Sequence, residues 1–347
     1  MEAHKKVPKL LVSIALQFAC VLVAQAQDIH FSQFYMAPLN QNPAFTGALY
    51  DIEAIVNYKN QWESLSFPYK TFAASFDMRI KQTKFKNGFL AAGINFYRDE
   101  AGDGNMGTTE ADLNLAYHLH LNKLNTLGGG LQGGFDQRSV NFSALQWGNQ
   151  FDGKNYNSSL PNLEPAYITP IIYPELGGGV LWTYDNSNSS SKVTQNDVLK
   201  WNIGASAFHI QEPGNSFYSI DNEKLDTRFV IHGDGLISIP NTDFGINPLF
   251  LYYKQGTISE IDIGAMVRYS LADYNSKYTG FGKGETAISA GLLVRTGDAF
   301  IVLMLLNYAN YAIGFSYDSN YSLLTTATNG RGGLEVAIRY AGISAKK

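Results

Sequence analysis

The stretch Ala111-Asp-Leu-Asn-Leu-Ala-Tyr-His-Leu-His-Leu121 decides the fold class. Ala111, Leu113, Leu115, Tyr117, Leu119 and Leu121 share one parity. Asp112, Asn114, Ala116, His118 and His120 share the other. Successive side chains of an extended chain point to opposite faces, so this is a strand with one apolar and one polar face. Its length is that of a tilted strand crossing a bilayer, about 9–11 residues, where a soluble sheet strand usually has about 5–6. An apolar parity facing lipid and a polar parity facing a lumen would use both faces.

The same alternation recurs along the chain. Phe72, Ala74, Phe76, Met78 and Ile80 oppose Thr71, Ser75, Asp77 and Arg79. Ile261, Ile263, Ala265, Val267 and Tyr269 oppose Asp262 and Arg268. Leu334, Val336, Ile338 and Tyr340 oppose Glu335 and Arg339. Such runs begin near Ile52, Tyr69, Gly88, Thr109, Leu124, Glu175, Lys200, Asp226, Phe244, Ser259, Glu285, Phe300, Tyr311 and Gly332. The expectation is an all-β transmembrane antiparallel barrel of about 14 strands, an even number as bacterial barrels require.

Turn chemistry separates the runs at Ala101-Gly-Asp-Gly-Asn105, Pro240-Asn-Thr-Asp243 and Asn329-Gly330. Longer polar stretches fall at Ser139–Tyr173, Asp185–Leu199, Gln211–Leu225 and Leu271–Gly284. Asp185–Lys192 is low-complexity, but alternation resumes on both sides, so residues 27–347 read as one barrel domain. With a periplasmic start, Ser139–Tyr173 falls outside the cell. The turns at Asn122–Asn125 and Pro240–Asp243 fall inside, together with Asp185–Leu199 and Leu271–Gly284. Long periplasmic loops depart from the usual barrel, so either the strand count slips by one or those loops meet a periplasmic partner. Trp62, Phe67 and Tyr69, Phe96 and Tyr97, Trp182 and Tyr184, Tyr252 and Tyr253, and Tyr308 and Tyr311 stand near strand ends, where interfacial girdles are expected. Glycines inside the runs (Gly128–Gly130, Gly133-Gly134, Gly177–Gly179) suit a wall that bends or one that something approaches closely.

Composition agrees. Charged residues are 16% of the chain, below the roughly 25% of soluble domains, and aromatics are 13%. The formal net charge of −4 argues against nucleic-acid binding, which wants a basic face. No stretch after Gln27 reaches the roughly 18 apolar residues of a spanning helix. A secreted soluble β-protein is the competing reading, and the run lengths favour the membrane barrel.

Residues 1–26 read as an export signal, with Lys5, Lys6 and Lys9 ahead of the apolar Leu10–Ala24 and an Ala24-Gln25-Ala26 cleavage rule. Lipidation at Cys20 is a weaker alternative, because Gln17-Phe18-Ala19 lacks the usual leucine. Cys20 is the only cysteine, so the exported chain has no disulfide, thiol nucleophile or cysteine metal site.

No enzymatic constellation is present. His118 and His120 share a strand face without an adjacent carboxylate cluster, and His209 and His232 are isolated in sequence. Arg98–Asn105 lacks the spacing of a calcium loop and reads as a hairpin turn. Gly280-Phe-Gly-Lys-Gly284 lacks the strand-to-helix setting of a phosphate loop. No Gly-x-Ser-x-Gly elbow occurs. Accordingly no catalytic, cofactor-binding or metal-binding residue is expected.

Ahead of the first strand lies Gln27-Asp-Ile-His-Phe-Ser-Gln-Phe-Tyr-Met-Ala-Pro-Leu-Asn-Gln-Asn-Pro-Ala-Phe-Thr-Gly47. Pro38 and Pro43 break any long helix, and the segment is too apolar to float in solvent. It is expected to pack inside or beneath the barrel as residues 27–50. Phe31, Phe34, Tyr35 and Phe45 would anchor it, while Gln33, Asn40 and Asn42 would satisfy buried backbone groups. Phe31, Gln33, Phe34, Tyr35, Pro38, Asn42, Pro43 and Phe45 form the candidate packing or partner-binding set. The segment serves either as a structural plug or as a partner-docking strap.

This block resembles the start of mature PorP/SprF-like outer-membrane proteins of the Bacteroidota type IX secretion system. Asn57-Tyr-Lys-Asn-Gln-Trp62 is similar to the family's first strand, with Lys59 in an arginine place. Tyr69–Asp77 is similar to its second strand, and Gly314 with Ser316-Tyr-Asp318 to its late Gly-x-Ser-Tyr-Asp motif. The likeness runs to about Tyr340. The chain departs from the family at its end, where Tyr340 rather than a terminal aromatic would serve as assembly signal. The resemblance implies an outer-membrane, non-enzymatic role without cofactors. Its implied partners are the C-terminal domain of an exported cargo such as a gliding adhesin, periplasmic and outer-membrane secretion components, and outer-membrane lipid. The alternative is a diffusion channel for small solutes or lipids.

Overall fold

The computed structural model describes residues 28–63, 68–80, 87–163, 169–187, 198–217, 223–271, 286–322 and 325–342. The export signal, Phe67, the 280–284 glycine run and most of the 185–192 tract lie outside the described residues.

The alternating runs become β1 (Ile52–Gln61), β2 (Tyr69–Ile80), β3 (Gly88–Ala101), β4 (Met106–His120), β5 (Asn125–Ser139), β6 (Ile171–Asp185) and β7 (Leu199–Phe208). They continue as β8 (Arg228–Ser238), β9 (Phe244–Gln255), β10 (Ile258–Ser270), β11 (Ala287–Arg295), β12 (Ala299–Tyr308), β13 (Tyr311–Asn320) and β14 (Arg331–Gly342). Each strand pairs antiparallel with its sequence neighbour, and β1 pairs with β14, so the sheet closes. Closure leaves no edge, which a sheet in lipid cannot afford. Most strand starts fall within a residue or two of those read from the alternation. β4 and β6 begin a few residues earlier, at Met106 and Ile171.

Burial is inverted relative to a soluble sandwich. On β4, Leu115 is 61% exposed and neighbouring Asn114 is 0% exposed. Outward residues of the other strands, such as Ile94, Leu131, Ile263, Leu292 and Met304, are likewise exposed, while Glu53, Asp77, Asp112, Glu175, Arg295 and Glu335 are buried. That arrangement suits lipid outside and rules against the soluble reading. Among the described residues no helix is long and apolar enough to cross a membrane.

The near end of the barrel carries the start of β1 and the end of β14; the far end carries their opposite ends. Alternation puts the turns after β4 and β8 at the near end, with the connections β6–β7 and β10–β11. The strand count therefore does not slip. The β5–β6 and β7–β8 connections lie at the far end.

The girdle expectation holds in part. Trp182, Tyr308, Tyr311 and Tyr340 face outward near the near end, where Tyr311 and Tyr340 pack with ring centroids 5.3 Å apart. Trp62 meets Tyr69 edge-on at the far end. Tyr97 and Tyr253 are corrections: both point into the lumen and are buried, because their parity is that of the polar face.

Candidate functional site

The lumen is filled by residues 28–51. Asp28 sits at the far end, and the chain works down to Asp51, where it enters β1. Three short turns carry it: Phe34–Met36, Pro38–Gln41 and Pro43–Phe45. Pro38 and Pro43 occupy first-turn positions, where the missing N–H costs nothing. Asn42 caps the third turn by accepting from Ala44 N at 2.9 Å.

The plug meets an apolar half of the wall and a polar half. Phe34 and Met36 are buried in a cluster with Leu249, Leu251, Met266, Leu293, Ile301 and Leu303. Tyr35 packs against that cluster, its hydroxyl 3.7 Å from Met266 Sδ. Phe31 packs with Ala73 and Tyr97, and Phe45 lies 4.8 Å from the His232 ring. Ring contacts of this kind fix the segment by burial rather than by direction.

Polar contacts supply the direction. Ser32 N and Gln33 N donate to the two Glu335 oxygens at 2.8 and 3.1 Å, and Gln33 Nε2 donates to Glu335 O. Ser32 Oγ donates to Asp318 Oδ2 at 2.8 Å. Arg295 donates to both, at 3.1 Å to Ser32 Oγ and 2.9 Å to Asp318 Oδ2. Asn42 Nδ2 donates to Val180 O at 2.9 Å and to His232 Nε2 at 3.0 Å. The wall reaches back to the plug's carbonyls. Lys59 Nζ donates to His30 O, Asn57 Nδ2 to Met36 O, Ser206 Oγ to Gln41 O and His118 Nε2 to Thr46 O. At the near end Gly47 N donates to Asp77 Oδ1, while Arg79 donates to Gly47 O and Ala48 O. These backbone groups of the plug thus find partners on β1, β2, β4, β7 and β14.

The structure brings Phe31, Gln33, Phe34, Tyr35, Pro38, Asn42, Pro43 and Phe45 together inside the lumen, all on the plug. Asn40 differs from expectation: it contributes its backbone carbonyl, to Arg228 Nη2, rather than its side-chain amide. The lumenal glycines make room for this segment. A Cβ on Gly130 would collide with Pro43 and Ala44 backbone, and one on Gly179 with the Asn42 side chain.

The far end holds a charged latch absent from the sequence reading. Asp28 Oδ2 lies 2.6 Å from His209 Nε2 and 3.3 Å from Arg228 Nη1, and His209 Nδ1 lies 2.5 Å from Glu175 Oε2. Burial alone would raise the Asp28 carboxyl, but His209 and Arg228 hold it well below the usual carboxylate range. Burial pulls the His209 imidazole down, but Asp28 and Glu175 outweigh it and raise it to about 10. His209 is isolated in sequence, and only the fold surrounds it with acids. Asp136 lies beside Glu175 and His209, with ligand-type atoms of the three within 4.8 Å of one another. One signal of the filled lumen was readable: Ala299–Leu306 is apolar at both parities, so its lumenal face had to be covered.

Three solved structures align with this chain at low similarity. A TodX mutant monoaromatic hydrocarbon channel aligns with TM-score 0.46 and 8% identity over 88% of this chain and 93% of that one. The KdgM porin in complex with oligogalacturonate gives 0.35 and 10% over 84% and 99%. The translocator domain of the autotransporter NalP from Neisseria meningitidis gives 0.32 and 9% over 99% and 100%. No curated protein matches in sequence. A family model for the type IX secretion system membrane protein PorP/SprF matches residues 23–340. On that match, which takes in the plug and all but the last two residues of the barrel wall, the chain belongs to the PorP/SprF family of type IX secretion system membrane proteins.

Proposed function

We propose that this outer-membrane barrel is a plugged, non-enzymatic accessory of type IX secretion that delivers or retains one exported cargo, such as a gliding adhesin, through the cargo's C-terminal domain. The observation that carries the reading is the plug. A segment hydrogen-bonded to strands all around the wall leaves little room for solute flow, so the working surfaces are the two rims rather than a pore. The near end, with both barrel termini, faces the periplasm. Its β6–β7 and β10–β11 connections then reach the periplasmic machine. The far end, with the β5–β6 and β7–β8 connections, takes the cargo. Lipid covers the apolar outer face.

The test is affinity purification from native outer membranes. Co-purification of an exported protein's C-terminal domain together with periplasmic secretion components is expected. A null pull-down combined with robust conductance in planar bilayers would instead establish the diffusion-channel reading.

A further inference from the structure

The wall holds the plug's first carboxylate in a cradle of three side chains. His209, just after β7, donates from Nε2 to Asp28 Oδ2 at 2.6 Å, and Gln255 Nε2 of β9 donates to the same oxygen at 3.2 Å. Arg228 Nη1 of β8 lies 3.3 Å from it. The Gln255 amide oxygen accepts the Asp28 main-chain N–H at 3.3 Å, so one side chain meets both the acid and the backbone that carries it.

Each cradle residue is fixed from the wall side. His209 stands at φ 53°, in the left-handed region, where a non-glycine residue is held at a cost. Glu175 of β6 holds it there, accepting from the His209 main-chain N–H at 2.9 Å and from Nδ1 at 2.5 Å. Both ring nitrogens therefore face carboxylates, both donate, and the ring is an imidazolium. The Arg228 guanidinium lies 4.2 Å over the Phe208 ring, and the Tyr253 hydroxyl donates to Gln255 Oε1 at 2.9 Å. Two cations and an amide aimed at one point make an anion site that does not need Asp28 for its shape.

The present occupant is seated less closely than the rest of the plug. Asp28, Ile29 and His30 are half-buried, whereas Phe31 to Phe34 are buried. Ile29 lines two cavities, one shared with Tyr97, Arg138, Tyr173 and Leu225, the other with Val230, Leu251 and Glu260. His30 Nε2 is buried without a hydrogen-bond partner among the described residues. Below Phe31 the plug is fastened to several strands through Ser32, Gln33, Asn42 and Gly47.

We propose that the far-end cradle of His209, Arg228 and Gln255 is a binding site for a peptide carboxylate, held shut by the plug's own Asp28 and taken over by a partner chain that brings a carboxylate beside an apolar side chain. Residues 28–30 leave the cradle while the rest of the plug stays, a local opening that few buried contacts permit. The Asp28–Ile29 pair sets the chemistry of the incoming chain. Its acid enters the cradle, and its apolar side chain lies between Leu225 on one side and Val230 and Leu251 on the other. A neutral group in place of the acid would leave the His209 Nε2–H without its acceptor. The carboxylate belongs either to an acidic side chain or to a chain end. The far end is the one that takes cargo in the reading above, so the site deepens that reading by naming what a cargo chain presents, and it is tested without cargo.

The test is fluorescence-anisotropy titration of labelled peptides with the full-length barrel in detergent. The probes are an amidated Asp-Ile-His-Phe peptide, an Ala-Leu-Phe peptide with a free terminal carboxylate, and an amidated Asn-Ile-His-Phe control. Asp28→Ala empties the cradle. It should bind a carboxylate peptide saturably and at least about tenfold tighter than the wild type, whose tethered Asp28 competes at high effective concentration. Binding of the first peptide alone assigns the site to an acidic side chain, and of the second alone to a chain end. Adding His209→Gln to Asp28→Ala should abolish the gain, with unfolding temperatures checking that the variants are folded. Gln255→Leu on the same background should weaken binding likewise and serves if the histidine variant does not fold. Absence of saturable binding by Asp28→Ala up to millimolar peptide, equal affinity of Asp28→Ala and wild type, or equal binding of the control peptide overturns the site. A failed cargo pull-down leaves these titrations untouched, so the two readings fail separately.

Discussion

Ser32 and Asp318 are joined by a 2.8 Å hydrogen bond across 286 residues of sequence. The first residue belongs to the plug, the second to β13, where the register with β14 shifts between Tyr317 and Ser319. Arg295 donates to both partners. The bond ties the two ends of the family-like pattern, Gln27–Gly47 and Ser316–Asp318, into one lumenal contact.

Removing one side of this contact leaves the other buried. Asp318→Ala should destabilise the barrel by about 1.5–3 kcal/mol, because Arg295 and Ser32 Oγ lose a buried charged acceptor while Glu260 and Asp262 still answer the guanidinium. Ser32→Ala should cost about 1 kcal/mol, as Arg295 and Asp318 keep each other. Unfolding temperatures in detergent check the ranking, and equal effects would contradict it.

The plug's seat depends on small side chains in the wall. Gly130→Val should displace Pro43 and Ala44 while the barrel itself still closes, because Gly130 lies mid-strand and its added bulk points inward. Cys20 is the only cysteine of the sequence, so with Cys20→Ser beside it Ala44→Cys reports cleanly on access. Thiol labelling at residue 44 should be slow in the otherwise wild-type barrel and fast with Gly130→Val.

Deleting residues 28–47 separates plug from strap. The lumenal groups of Asp77, His118, Asp318 and Glu335 would lose plug partners at once. On the plug reading the deletion yields a less heat-resistant barrel that conducts ions in planar bilayers. A deletion variant that is as stable and as silent as wild type, but no longer holds cargo, identifies a strap.

The Asp28–His209–Glu175 latch makes stability depend on pH with a definite sign. His209 is raised to about 10 from an ordinary value near 6.5. Its contribution is therefore full below about pH 6.5 and is lost as pH rises toward 10. Asp28 is lowered, so its contribution holds above its ordinary value near 3.8 and is lost as pH falls below it. Unfolding temperature should be highest between about pH 4 and 6.5 on the latch's account. His209→Gln should flatten the alkaline decline, and an unchanged slope would refute the assignment.

Much of the wall was legible because a barrel strand has only two faces. Leu113 and Leu115 against Asp112 and Asn114 sufficed to assign lipid and lumen. Tyr97 and Tyr253 defeated the girdle rule because proximity to a strand end says nothing of parity, and parity sends both inward. The plug's anchors were recognisable as a set from their apolarity and prolines. Their partners were not, since Glu335, Asp318, Arg295 and His232 look like ordinary lumenal polar residues in their own strands.

Sequence alone determined the strand number, the alternation, the closed antiparallel wall and the need of Gln27–Gly47 for a surface to pack on. Periodicity is a local property, and closure follows because lipid leaves no other way to satisfy strand edges. Only the tertiary structure decided that the segment runs from Asp28 at the far end to Asp51 at the near end. It also decided that His209 sits between two acids, Asp28 and Glu175. These depend on which strands closure brings face to face across the lumen, and no spacing along the chain encodes that.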